Sequence, residues 1–333
     1  TILKDYKKNY LAIGCYYFKT FKFFDDYFDN PNLKKFKKNK EFYLIDLLKN
    51  CLRNKNTINH FKIKKFVHLG VPNQYRNFLK WSNIFSSNFE KSMKFNYQTV
   101  MLMAGKGKRL KTLKEKKPFL KIRDYQIFDY ILKKFGSKKN CIISNNENLR
   151  FMKKRYQTYK IENSTSMLNT IEKSENLLKE KKNFFLLSCD CFGVFQKKDF
   201  KKFIKKNNPD IVLFAFNISN LQRSILNSHT TIEFKMNKIA SINVKRFSKN
   251  KTELGHAGFF WIKSNKIFKN LQKFQKAKKI KREILLDDYF KYLFDNRLCK
   301  VASYKLKDYI HIGSIKEYQE IKYWESYFDN EDR

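Results

Sequence analysis

From Tyr97 onward, short apolar runs alternate with amphipathic, lysine-rich stretches. The runs predict strands over Thr99–Ala104, Asn140–Ser144, Phe184–Ser188, Ile211–Asn217, Thr230–Lys235, Ile239–Val244, Gly258–Lys263 and Lys300–Lys305. The amphipathic stretches predict helices over Ile127–Lys134, Asn169–Lys181, Lys197–Asn207, Lys266–Phe274 and Glu283–Asp295. Such alternation implies an α/β fold, a mainly parallel mixed sheet flanked by helices, with ligands at the carboxyl ends of the strands. Two loops leave such ends, one after Met103 and one after Ser188.

The first 85 residues become readable through an internal repeat. The stretch around Gly14 aligns with that around Gly258, Glu41–Asp46 with Glu283–Asp288, Lys64–Gly70 with Lys307–Gly313, and Gln74…Trp81 with Glu317…Trp324. The offsets are 244, 242, 243 and 243, in one order along the chain. Residues 1–85 therefore read as the C-terminal part of a first, truncated copy, 86–96 as a linker, and 97–333 as a complete second copy. Thr1 in place of an initiator Met agrees with a fragment of a longer chain.

Composition adds a constraint on partners. Lys+Arg 72 against Asp+Glu 31 gives a net charge of +41, yet the lysines are spread over all 333 residues. They accompany abundant Asn, Ile, Phe and Tyr, the profile of an AT-rich genome. The charge alone suggests nucleic acid, but its even spread argues against a dedicated stripe, and no nucleic-acid partner is expected. An anionic small substrate is still favoured by such a field. Six cysteines form no C-x-x-C pair and no zinc spacing, which suits reduced thiols in a cytoplasmic protein. No apolar run is long enough for a bilayer, so no membrane partner is expected.

The candidate chemistry begins at Thr99–Ile122. A buried run ends in Ala104-Gly105-Lys106-Gly107-Lys108-Arg109, where glycine lets backbone N–H groups approach an anion and Arg109 offers a charged fork. Lys117-Pro118 follows ten residues after Gly107. The third glycine of a dinucleotide fingerprint and the GK[ST] ending of an ATPase loop are both missing. What remains resembles the G-x-G-x-R-L…K-P signature of the sugar-phosphate nucleotidyltransferases, the nucleotide-sugar pyrophosphorylases.

The resemblance implies a Rossmann-like nucleotide-diphospho-sugar transferase fold, with Ala104, Gly105, Gly107, Lys108 and Arg109 on the nucleotide. It implies Arg109, Lys117 and Asp190 as catalytic residues, with Asp190 holding Mg2+ where Phe184–Ser188 runs into Cys189-Asp190-Cys191. Where the family carries D-x-G-T, this chain has His311-Ile312-Gly313-Ser314; His311 is a poor oxygen substitute, so Asp308 or Glu283 compensates or the ion is held by one protein carboxylate with phosphates and water. Val244-Lys245-Arg246 resembles the V-E-K stretch at the sugar phosphate, and Gly258 the glycine on which the sugar rests. Residues 164–170 lack the family's glycine, so the base is not implied. The implied reaction joins an NTP and a sugar 1-phosphate into an NDP-sugar and pyrophosphate, for nucleotide-sugar or surface polysaccharide synthesis. A cytidylyltransferase acting on phosphocholine and a degenerate regulatory copy are the alternatives.

Overall fold

The computed structural model describes residues 12–20, 43–53, 55, 57–85, 97–105, 115–137, 139–152, 156–179, 181–218, 229–246, 253–277 and 282–329. The chain divides into two compact units, Thr1–His68 and Leu69–Arg333. In the first, helix α1 (Leu44–Arg53) buries Leu47 and Cys51, one turn apart on a single stripe. Helix α2 (Pro72–Phe85), which the repeat assigns to the first copy, belongs to the larger unit and opens with the proline that a first helical turn tolerates.

In the larger unit the strands are β1 (Gln98–Met103), β2 (Lys121–Ile122), β3 (Tyr125–Gln126), β4 (Asn140–Ser144), β5 (Gln157–Lys160), β6 (Lys182–Ser188) and β7 (Cys191–Val194). There follow β8 (Ile211–Asn217), β9 (Thr231–Lys235), β10 (Lys238–Asn243), β11 (Leu254–Ser264), β12 (Val301–Lys305) and β13 (Asp308–His311). The helices are α3 (Ile127–Phe135), α4 (Asn146–Leu149), α5 (Met167–Lys173), α6 (Lys197–Asn207), α7 (Leu271–Ala277), α8 (Leu286–Asp295) and α9 (Ile315–Asp329).

Among the described residues, a nine-stranded sheet runs β10-β9-β11-β6-β1-β4-β5, with β8 beside β11 and β12 beside β8. Only β10 and β11 run against the other seven strands, so the predicted α/β, mostly parallel mixed sheet is the architecture observed. Period-two alternation sends successive residues to opposite faces. On one face Phe185, Phe214, Phe259 and Trp261 meet Phe135 of α3 and Phe200 of α6, with Phe214 stacked on Phe259 at 4.6 Å. On the other, Val100, Leu102, Leu186 and Phe260 pack with Leu168 of α5, Phe274 of α7 and Tyr289 and Phe290 of α8. No helix among the described residues is long and apolar enough to cross a membrane.

Two predicted helices take a different form, each for a local reason. The helix expected over 169–181 stops at Lys173, because the Ser174 hydroxyl donates back to Thr170 O at 2.6 Å and the chain tightens into a 3-10 turn over Glu175–Leu178. The stretch 266–274 starts as a 3-10 segment capped by Ser264 before α7 forms. Strands β5, β7 and β13 are too short to stand out, and on helices α2 and α9 tyrosines and charged residues mask the apolar stripe, so the hydropathy pattern misses them.

Phe185 has zero exposure and touches Phe135 at 5.2 Å and Phe200 at 5.7 Å between ring centroids. Phe185→Ala should cost about 3–5 kcal/mol, read as a lower urea midpoint with unchanged slope.

Candidate active site

The site is assembled by strand register. Adjacent parallel strands β1 and β6 pair Leu102 with Ser188, so Ala104-Gly105 and Cys189-Asp190 leave neighbouring strands on the same edge. The two strand ends, at Ala104-Gly105 and at Cys189-Asp190, thus lie side by side. Gly105 forms a parallel bridge with Ser164, and Ala104 O accepts Ser164 N at 3.2 Å and Asn145 Nδ2 at 3.1 Å. A Cβ at Gly105 would meet no atom of the described residues within 4 Å. Beside it, at the ends of β4 and β5, lies a cavity of about 440 Å³ lined by Asn145, Asn146, Glu147, Lys160, Glu162 and Asn163. Gly107, Lys108 and Arg109 lie outside the described residues.

Lys117 opens a 3-10 turn ahead of Pro118, which directs a buried ammonium at the β6 edge. Its Nζ lies 2.5 Å from Asp190 Oδ2, and Ser188 Oγ donates to Asp190 Oδ1 at 2.6 Å. Burial pushes the Asp190 carboxyl up, but the Lys117 charge, then His311 and the Lys117 and Ser188 hydrogen bonds, outweigh it and hold the carboxyl well below the usual carboxylate range. The flanking thiols shift the other way. Burial and the Asp190 charge push Cys189 up to about 12, and Cys191 is raised as well.

His311 arrives from the other end of the chain. β13 pairs antiparallel with β7 so that His311 stands opposite Cys191, and Ile312 N donates to Asp190 O at 2.8 Å. Gly313 makes room for the ring: a Cβ there would fall 2.1 Å from His311 Cε1. Glu317 accepts from Gly313 N at 3.0 Å and Ser314 Oγ at 2.7 Å, and pairs with His311 Nδ1 at 3.0 Å. Ser314 Oγ accepts Glu317 N in return, a reciprocal arrangement at the start of α9.

Asp308 does not join this cluster. It pairs with Val194, three registered positions from Cys191, and its electrostatic neighbours are Lys80, Lys307 and Asn83. At about 3.4 Å per residue that is roughly 10 Å along the strand, out of reach of a shared ion. Glu283 sits just ahead of α8 next to Arg282, whose guanidinium forks onto Asp288 at 2.8 and 2.6 Å.

Gly258 has φ +76°, lies at a register shift between β11 and β8, and would place a Cβ 3.3 Å from Cys191 Sγ. That brings the expected sugar glycine next to the Asp190 loop. The bulge is braced by buried His256, with Nδ1 2.9 Å from Asp287 Oδ1 and Nε2 3.3 Å from Phe259 O, while Thr230 Oγ1 donates to Asp287 Oδ2 at 3.0 Å. Burial pushes the Asp287 carboxyl up, but His256 and Thr230 hold it below its usual range. Sequence reasoning missed this brace. Its signal was a histidine inside an otherwise apolar strand and an Asp-Asp pair opening a helix. Lys245 and Arg246 are exposed beyond β10, where Arg246 O accepts from Thr231, and nothing ties their side chains to Asp190.

Among the described residues no group of three or more His, Cys, Asp and Glu could hold a metal ion. One carboxylate is nevertheless a donor set that magnesium accepts when phosphates and water complete its shell, and Asp190 supplies it. His311 offers nitrogen and is engaged by Glu317.

The fold is similar to that of several proteins of known structure. The inositol-1-phosphate CTP transferase of T. maritima superposes with TM-score 0.52 at 17% identity, over 70% of this chain and 96% of that one. A Bacillus anthracis protein assigned as a glucose-1-phosphate thymidylyltransferase gives 0.54 at 12%, over 67% and 93%. The nucleoside-diphosphate-sugar pyrophosphorylase of Vibrio cholerae RC9 gives 0.51 at 14%, over 67% and 98%. No protein-family model matches the chain, and no curated protein matches its sequence.

Two predictions follow from the His311 segment. Gly313→Ala should drive the His311 ring off Glu317, seen as altered His311 ring chemical shifts by NMR with the fold retained. Burial opposes ionisation of Glu317, but the His311 hydrogen bond and charge dominate and depress its carboxyl from 4.5 to about 2. A depressed pKa contributes stability above the unfolded value that is lost as pH falls through the folded one. Urea midpoints of wild type and Glu317→Gln should differ at neutral pH and converge between about 4.5 and about 2.

Proposed function

We propose that residues 97–333 catalyse nucleotidyl transfer from an NTP to a sugar 1-phosphate, giving an NDP-sugar and pyrophosphate. The observation that carries this reading is the buried Lys117–Asp190 pair on the same sheet edge as Gly105, where the paired strands β1 and β6 end. The folds it shares with the three transferases support it, as does the extent of the match: 70% of 333 residues is about 233, close to the length of 97–333.

A phosphate oxygen of the acceptor forms a bond to the α-phosphorus while the bond to the bridging oxygen breaks, and pyrophosphate leaves with that electron pair. Lys117 sits where it can meet charge on the transferring phosphoryl group, and Asp190 keeps it there. Magnesium, held by Asp190, would neutralise charge on the nucleotide phosphates. Gly258 and its His256–Asp287 brace form the acceptor wall, where bare backbone lets a sugar ring approach. Lys245 and Arg246 attract the acceptor phosphate from the rim, and Lys108 and Arg109 meet the nucleotide. The protein works in the cytoplasm on small anionic substrates.

A second reading has one observation in its favour. Asp190 is already satisfied by Lys117 and Ser188, and the usual second carboxylate is replaced by His311, as a regulatory, non-catalytic copy would allow.

Pyrophosphate release over a panel of NTPs and phosphorylated sugars separates the two. Lys117→Ala should lower turnover by about 100- to 1,000-fold, and Asp190→Asn should abolish it. Silence of the folded wild-type chain across the panel would establish the regulatory reading instead.

A further inference from the structure

Helices α2 and α9 meet through residues that the sequence repeat had already paired. Asn77 Nδ2 lies 3.4 Å from Glu320 Oε1, Trp81 stacks on Trp324 at 6.3 Å and 15°, and Phe85 stacks on Phe328 at 6.1 Å and 27°. Each pair is separated by 243 positions, the offset that also joins Lys64 to Lys307 and Gly70 to Gly313. The contacts recur every four residues on both helices, so the two run parallel and in register along one stripe each. Any two parallel helices keep one index difference along their contact; here it equals the offset of the repeat, as in helices related by a twofold axis, where residues facing the axis meet their own counterparts.

The contact is well buried. Trp81, Ile84, Phe85, Ile321 and Trp324 all lie in the core, and Phe78 fills the remaining gap against Trp324, Tyr327 and Phe328. Its far end is closed by Arg123, in the turn between β2 and β3. The Arg123 guanidinium donates to Phe85 O at 2.8 Å and to Asp329 Oδ1 at 2.9 Å, while its backbone N–H donates to Glu325 Oε1 at 2.9 Å. A cation on the terminal carbonyls of a docked helix is favourable on dipole grounds. The repeat also shows in backbone conformation, since Gly14 and Gly258, its aligned glycines, have φ of +80° and +76°.

We infer that the face of α9 carrying Glu320, Trp324 and Phe328 is a docking surface for the same helix of a second copy of this domain, and that α2 takes that place in this chain. The inference rests on reading residues 1–85 as part of an earlier copy; it does not depend on the reaction. Its readout is oligomeric state, so its failure and a failure of the transferase reading are told apart. In the wild-type chain the surface is satisfied internally.

The test uses the full chain. Trp81→Lys with Phe85→Lys expels α2 and bares the α9 face. Sedimentation velocity should then show a concentration-dependent dimer that is lost when Trp324→Lys is added. Trp81→Ala with Phe85→Ala, gentler on folding, carries the same expectation. Folded α2 variants that stay monomeric to about 100 μM, or a dimer that survives Trp324→Lys, would overturn the inference.

Discussion

A carboxylate at the mouth of a buried strand is the constraint around which this fold is arranged. Taking Asp190 out of water is costly unless a cation accompanies it, and Lys117 meets that need from a separate turn at 2.5 Å. Three segments far apart in sequence must then agree. β6 presents the acid, the turn at Pro118 presents the lysine, and β13 lies along β7 to bring His311 alongside. Strand pairing sets Asp190 and His311, and a 3-10 turn aims the Lys117 side chain at Asp190. The edge on which these groups gather is also where β1 ends at Ala104-Gly105.

Behind that edge the two faces of the sheet do different work. The face under α3 and α6 is filled with large rings, Phe135, Phe185, Phe200, Phe214 and Phe259, whose contacts resist small displacements. The opposite face is mainly aliphatic against α5, α7 and α8. The long strand β11 crosses between these layers and carries the Gly258 bulge. A rigid ring cluster on one side and the His256–Asp287 brace on the other keep that bulge in place.

The central strands were legible because β1, β4, β6 and β8 are buried on both faces and so read as unbroken apolar runs between turn residues. The glycine at the end of β1, Lys117 and the aspartate at the end of β6 stood out through the motif they resemble, and the structure pairs Lys117 with Asp190. Strands β7 and β13 were not: at four residues each, they form only by pairing with one another across more than a hundred residues. Helix α9 was hidden because its tyrosines, glutamates and lysines surround the buried Ile321 and Trp324. Asp308 looked suited to a metal because it is close to His311 in sequence, but extended backbone carries it along the strand toward Lys80. Sequence proximity is a poor guide to side-chain proximity inside a strand.

The cysteines on either side of Asp190 give the site a chemical filter. With Cys189 raised to about 12 and Cys191 raised too, both stay protonated at neutral pH, and a protonated sulfur is a feeble ligand for zinc or copper and a slow target for oxidants. The negative charge of the loop is thereby left to oxygen alone. The loop thus carries two uncharged sulfurs next to its one carboxylate.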